Sequence, residues 1–414
     1  MTPATARDTF RSVSHAASPP GTAVIDFNAL LDHLGRAGGV PLSPKNDEFG
    51  MAELATLNAL CARPIQTGLA RPRQGSLANV DGLNLLLRAT RLAHIEEGKS
   101  GRRMMIDAAA LDAWAKLNRF EQYFALMRTW FDFSDTTDDG SSFACGIKML
   151  DCFQFIGRIP LRRGLVVGGS SDRNFGSRYT PGFKHLALLD MFGLIDVRSG
   201  APVPGKAWLI ETIHSTPWGR SLAAYAPLMR TELKALLMGS NGPASDISVF
   251  GPLAKVLRPG FPQWHNDLVV EIPVKAGKVG TIVFKVSWGK VWRRLEVPAR
   301  HSFADLAGDI LDAYGFDGDH LYRFSFKDAY GMTRHIDDER LADEMGTVCG
   351  YDVILGEVGL SKGSALKFHY DFGDDWKFSL LVEDVDPSRR VKAARCIAEH
   401  GAAPSQYELG EDEY

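Results

Sequence analysis

Up to about residue 240 the apolar residues of this chain recur every three or four positions, and from about 265 they recur every second position. A 3.6-residue period buries one stripe of a helix, whereas a two-residue period buries one face of a strand. One chain of 414 residues must therefore hold two architectures, and that length already exceeds what a single ordinary core serves. The expectation is a multidomain protein, with mainly α-helical N-terminal modules followed by an α+β C-terminal domain on a mostly antiparallel sheet.

The helical part repeats one grammar. In residues 21–135, "NALLDHLGRA", "MAELATLNALCARPI" and "GLNLLLRATRLAHI" have helical spacing, and "EEGKSGRRMMID" reads as a hairpin around a glycine-containing turn. "AALDAWAKL" and "EQYFALMRTWF" return to helix. In residues 136–245, "FKHLALLDMFGLIDV" runs from helix into strand, "RSGAPVPGK" loops, and "AWLIETIHST" comes back as a strand. "PWGRSLAAYAPLM" then opens a helix with Pro217 in its first turn. Helix, strand, wing loop, strand and helix is the order of a winged helix-turn-helix, so two winged-helix-like modules in tandem are expected. Residues 1–20, rich in Ser, Thr, Ala and Pro, read as a flexible tail. Residues 246–264 read as a linker, preceded by the turn-rich "GSNGPASD".

Residues 265–414 form the α+β domain. "LVVEIPV" and "TIVFKVSW" read as strands, with Ile282, Phe284, Val286 and Trp288 on one face. "HSFADLAGDILDAYGF" is a helix that Ser302 can cap with Asp305 three residues on. Phe303, Leu306, Ile310, Leu311 and Tyr314 make its apolar stripe and Gly315 its stop. In "KFHYDFGDDWKFSL", taking Gly373-Asp374-Asp375 as the loop pairs Phe372 with Trp376, Tyr370 with Phe378, and Phe368 with Leu380. Asp371 then faces Lys377 and His369 faces Ser379. Every residue of the motif thereby has a structural task. The competing reading has Asp371, Asp374 and Asp375, with Glu383 or the "IDDE" acids Asp337, Asp338 and Glu339, hold a divalent cation for nuclease chemistry. Acids at a loop tip are more often turn formers, so no metal site is assigned.

"VWRRLEVPARHSFADLAGDILDAYGFDGDHLYRFSF", "LGEVGLSKGSALKFHYDFGDDWKFSLLVED" and "RCIAEHGAAPSQY" together resemble the pRiA-type plasmid ORF-three family over roughly residues 265–410. The motif residues that carry the resemblance are Trp292, Arg293, Arg294, His320, Tyr370, Asp371, Phe372, Gly373, Asp374 and Trp376. It implies an α+β domain found in bacterial plasmid, transposon-passenger and chromosomal proteins, and no particular activity. Some members are labelled resolvase-like, but the serine-recombinase pattern is absent here, and the end of this chain departs from the family's acidic, glycine-rich tail.

Other constellations carry less. His320 reads as bonding a neighbouring loop rather than a metal, and His265, His335 and His369 form no H-x-x-x-H pair. "GLVVGGSSDRNFGS" lacks the spacing of a phosphate loop, and the "DFG" at 371–373 lacks every other kinase motif. Arg293 and Arg294, adjacent in a strand, point to opposite faces and make no patch.

Basic residues are the stronger signal. Arg63, Arg71, Arg73, Arg88 and Arg91 surround the first recognition-helix candidate, with Lys99, Arg102 and Arg103 in its wing, and Arg158, Arg162, Arg163, Arg173 and Arg178 precede the second module. Arg71, Arg73, Arg88, Arg91, Lys99, Arg102 and Arg103 are the candidate nucleic-acid contacts. The alternative is a solvated helical surface on modules that bind protein. A net charge of −3 argues against whole-surface nucleic-acid binding. Five scattered cysteines without a C-x-x-C pair give no zinc site and suit reduced thiols. No apolar run is long enough for a membrane span and no secretory signal is legible, so a cytoplasmic protein without cofactor is expected. The preferred reading is a non-enzymatic, mobile-element-associated protein that binds DNA or another protein. The alternative is a metal-dependent nucleic-acid enzyme that uses the hairpin acids.

Overall fold

The computed structural model of the chain describes residues 3–43, 46–98, 101–134, 142–167, 181–231, 248–270, 280–345 and 347–407. The described residues up to 270 form one compact unit and those from 280 a second. No helix among the described residues is long and apolar enough to cross a membrane.

The first unit opens with α1 (Pro3–Ser14) and α2 (Ala23–Arg36), then the two-residue β1 (Val40–Pro41), α3 (Met51–Leu60) and α4 (Ala78–Ala89). A hairpin of β2 (Ala93–Gly98) and β3 (Gly101–Ile106) follows, then α5 (Ala108–Ala115) and α6 (Arg119–Asp132). The layout recurs in α7 (Ser142–Arg158), β4 (Leu165–Val166), α8 (Phe183–Met191), β5 (Ile195–Ser199), β6 (Ile210–Ser215) and α9 (Pro217–Ala223). Both three-stranded sheets have the same order, β1-β3-β2 and β4-β6-β5. In each, a helix runs almost directly into the second strand.

The two halves share a single core. All of α4 except Asp81 is buried: its leucines at 83, 85, 86 and 87 cover most of its circumference, and the buried polar Asn79, Asn84 and Arg88 are hydrogen-bonded. It packs on α8, where a Cβ at Gly82 would come within 2.9 Å of the Leu188 side chain. From α6, Trp130 stacks on Phe192 at 5.2 Å and donates its indole N–H to His185 Nδ1 at 3.1 Å. Also from α6, the Tyr123 hydroxyl donates to the Phe192 carbonyl and accepts from Trp218 Nε1, both at 2.8 Å.

Two segments differ from expectation because aromatic rings anchor them. The stretch expected as a flexible tail is helix α1, whose Phe10 is buried, stacked on Tyr225 at 5.7 Å and edge-on to Trp218 at 5.5 Å. The stretch expected as a linker holds α10 (Gly251–Leu257) and buries Phe250, Leu253, Leu257, Phe261 and Trp264. Trp264 lies flat on Phe124 at 4.0 Å. Of the strand expected at 268–274, residues 268–270 are irregular and the rest lies outside the described residues.

The second unit is an eight-stranded sheet. It contains β7 (Thr281–Trp288), β8 (Val291–Pro298), β9 (Tyr322–Lys327), β10 (Thr333–Asp337), β11 (Val348–Cys349), β12 (Ala365–Tyr370), β13 (Trp376–Asp386) and β14 (Arg395–His400). The spatial order is β11-β10-β9-β12-β13-β7-β8-β14, antiparallel throughout except for β10 with β11. Helix α11 (Phe303–Tyr314) packs its stripe of Phe303, Leu306, Ile310, Leu311 and Tyr314 against one face of the sheet. Its ends are as expected. Ser302 Oγ accepts from the Asp305 amide at 3.0 Å, Asp305 Oδ2 accepts from the Ser302 amide at 2.8 Å, and Gly315 stops the helix at φ +71°. The short α12 (Glu339–Met345) follows β10.

Candidate functional site

The aromatic hairpin pairs Tyr370 with Trp376, His369 with Lys377, Phe368 with Phe378 and Lys367 with Ser379. The expected pairing is therefore displaced by two residues, and the loop runs over five, Asp371 to Asp375. Two local devices cause this. Asp371 adopts φ +50° and its Oδ1 accepts from the amides of Gly373 and Asp374 at 3.0 and 3.3 Å. Asp375 adopts φ +59° and its amide donates to the Asp371 carbonyl at 2.7 Å. Because the shift is even, Phe368, Tyr370 and Phe378 still face the core. Phe372, expected to pair with Trp376, is instead exposed in the loop against the His369 ring at 4.6 Å.

The three hairpin acids do not converge. Asp371 is buried and occupied by its own loop, Asp374 is exposed, and Asp375 is held by Lys377 Nζ at 2.6 Å and His369 Nε2 at 2.9 Å. The bond from Lys377 keeps the Asp375 carboxyl below its ordinary range, and burial pushes the His369 pKa down despite that carboxylate. Among the described residues no group of three or more His, Cys, Asp or Glu side chains is arranged to hold a metal ion.

The resemblance motif gathers at two places. At the first, the Tyr370 hydroxyl reaches the Asp317 carbonyl and Asp319 Oδ1 (3.2 Å), while His320 Nε2 stands 3.6 Å from Asp371 Oδ2. Gln406 ties the chain's end to this loop by accepting from the Asp317 amide at 2.5 Å. Trp376 closes it, edge-on to Phe316 at 4.8 Å. The second lies on β8, where Arg293 and Arg294 do point to opposite faces. Arg293 is buried over the Tyr314 ring at 5.0 Å and donates to the carbonyls of Ala313 and Gly401 at 3.1 Å each. Burial, opposed by that guanidinium, pushes the Tyr314 hydroxyl up to about 12. Arg294 holds Glu383 through Nε and Nη2 at 2.5 and 3.0 Å, which lowers the Glu383 pKa. Trp292 lies between Lys285 at 5.0 Å and Arg294 at 5.2 Å.

Three of the candidate nucleic-acid residues are engaged by the protein itself. Arg88 is buried, with Nε donating to Asn84 at 3.1 Å and Nη2 to the Asp47 carbonyl. Arg102 pairs with the Asp47 carboxylate, and Arg103 donates to the Gly39 carbonyl at 2.6 Å. Arg91 is half-buried at φ +62° just after α4. Arg71 and Arg73 are exposed, whereas Lys99, Arg173, Arg178 and the glycine-rich stretch beyond 167 lie outside the described residues. Arg63, in the first half, bridges Asp190 and Asp196 of the second, each at 2.9 Å.

Sequence reasoning missed the buried Glu296 of the sheet and read Asp337 only as a candidate cation ligand, not as a buried ion-pair acid. Glu296 is wholly buried, bonded by Arg395 at 2.6 Å and paired with Arg389. Asp337 is wholly buried and gripped by Arg323 at 2.7 and 2.8 Å. The available signal was a lone acid inside each strand, "RRLEVP" and "TRHID".

Comparison with known proteins bears on the second unit. Residues 281–414 match the family model described as plasmid pRiA4b ORF-3-like protein. An uncharacterised protein of Sinorhizobium fredii is 28% identical over 118 residues, which is 28% of this chain, and the chain spans 58% of that relative's length. A crystal structure of a protein of unknown function from Methanosarcina mazei aligns over 29% of this chain and 70% of its own, at 24% identity and a TM-score of 0.27.

Proposed function

We propose that this is a non-enzymatic, mobile-element-associated protein whose N-terminal unit, two winged-helix-like modules fused face to face, binds a protein partner rather than DNA. The observation that carries this reading is the burial of α4 against α8. In a winged helix-turn-helix the helix before the wing enters the major groove, and here those two helices occupy each other. The arginines around them point the same way, since Arg63, Arg88, Arg102 and Arg103 bond to the protein itself. The identical order of the two small sheets supports the module reading, and the family description of residues 281–414 supports the association with mobile elements.

The test is fluorescence anisotropy of random-sequence duplex DNA with the full chain at two salt concentrations. The reading expects no binding at either. An affinity that falls steeply as salt rises would mean phosphate contacts, and would restore DNA as the partner.

A further inference from the structure

The eight-stranded sheet has one face packed by α11 and a second, mostly polar face that also carries the exposed Leu381 together with Val283 and Trp292. On that second face Ser325, Lys367, Ser379, Ser287 and Trp292 stand side by side on five successive strands. Lys367 and Ser379, at the centre of the sheet, are exposed. Three acids of this face are already neutralised: Asp337 by Arg323, Glu383 by Arg294, and Glu296 by Arg389 and Arg395. Lys285 and Lys367 have no ion-pair partner among the described residues. Past the bulge in β13 the exposed Asp384 stands opposite Val283, two residues along β7 from Lys285, and offsets part of that positive charge.

The opposite side of the domain has the other sign. α11 contains no Lys or Arg, exposes Asp305 and Asp312, and is followed by the exposed Asp317 and Asp319. Acids outnumber bases across residues 281–407, so the cationic sheet face is a local segregation and not a consequence of overall charge. Its donors are ammonium groups and serine hydroxyls, which suit carboxylates.

We propose that this open face is a docking surface for an acidic segment of a partner protein. A single-stranded nucleic acid fits less well, because stacking needs uncovered rings. The outward positions of β12 and β13 carry no Phe, Tyr or Trp. Trp292 is already covered by Lys285, Arg294 and the parallel His400 ring at 5.9 Å. The proposal concerns the second unit and does not depend on the partner assigned to the first.

The experiment titrates the full chain into a fluorescein-labelled oligoglutamate peptide at low and at physiological ionic strength. Lys285→Glu/Lys367→Glu is compared with the charge-matched control Lys290→Glu/Arg340→Glu, in which Lys290 is in the β7–β8 turn and Arg340 lies beside Asp338 and the Asp319 carbonyl. Binding should weaken about tenfold or more for the first pair and by less than about twofold for the control. The first variant should instead bind oligolysine, which shows that the face is intact. No binding of oligoglutamate by the native chain, or equal loss in both variants, overturns the proposal. Tighter binding of oligothymidylate than of oligoglutamate assigns the face to nucleic acid and overturns the choice of partner. So does salt-sensitive self-association in sedimentation that only the first variant loses, which makes the occupant a second copy.

Discussion

The two units use their ion pairs in opposite ways. In the N-terminal unit charged groups tie distant parts of the polypeptide together: Arg63 of the first half bridges Asp190 and Asp196 of the second, and within the first half Asp47 accepts from Arg88 through its carbonyl and pairs with Arg102 through its carboxylate. In the C-terminal unit the arginine–carboxylate pairs lie across one face of a sheet whose opposite face is closed by apolar rings. The difference teaches where a charge is available to a partner. A guanidinium buried between helices is part of the fold, whereas lysines left over on an open sheet remain accessible.

That comparison can be broken first at the seam of the N-terminal unit. Leu188→Ala removes the side chain that fills the space above Gly82, and should cost about 2–5 kcal/mol in urea unfolding. Both halves should lose stability together, as one denaturant transition, while the C-terminal unit is unaffected. Next in size is Ser302→Ala, which removes the cap of α11 and should cost about 0.5–2 kcal/mol, confined to the C-terminal unit.

Acid sharpens the contrast further. Burial raises the carboxyl pKa of Asp26, Asp132 and Asp190 in the N-terminal unit. Their contribution is therefore present below the ordinary carboxylate pKa and is lost as pH rises through their raised values. In the C-terminal unit hydrogen bonds lower Glu383 (from Arg294), Asp375 (from Lys377) and Asp386 (from Ser388). Their contribution is present above the ordinary pKa and is lost as pH falls through the lowered values. Glu121 and Asp309 run against the trend in their units. Unfolding followed unit by unit as pH falls from 7 toward about 3 should show the C-terminal unit losing stability first. The smallest effect is expected at the hairpin tip, where Asp374→Ala should leave the melting temperature unchanged. Neither that variant nor the native chain should be stabilised by magnesium or manganese.

Much of the C-terminal unit was legible because its signals are local. Ser302, Asp305 and Gly315 set the ends of α11 by their own chemistry, and alternation along "TIVFKVSW" fixed which side chains are buried. The hairpin register was not legible, since it depends on the backbone of Asp371 and Asp375 entering the left-handed region, which aspartate tolerates without requiring it. In the N-terminal unit the elements were readable and their assembly was not. Whether two helix-and-hairpin layouts stand apart or share a core depends on contacts more than 60 residues apart in sequence, such as Tyr123 with Phe192. The four leucines of α4 in five positions were the available clue, because a helix exposed to a groove does not need so wide an apolar face. The paired arginines were ambiguous for the same reason: a sequence shows the cation and not its carboxylate.

Hydrogen exchange on native chain and on Leu188→Ala tests the shared core most directly. If α4 and α8 form a single folded block, their amides should exchange together at the rate of whole-unit opening. The substitution in α8 should then speed exchange in α4 by the same factor. Acceleration restricted to α8, with α4 unchanged, would mean that the halves fold apart, and would free the face of α4 that packs on α8.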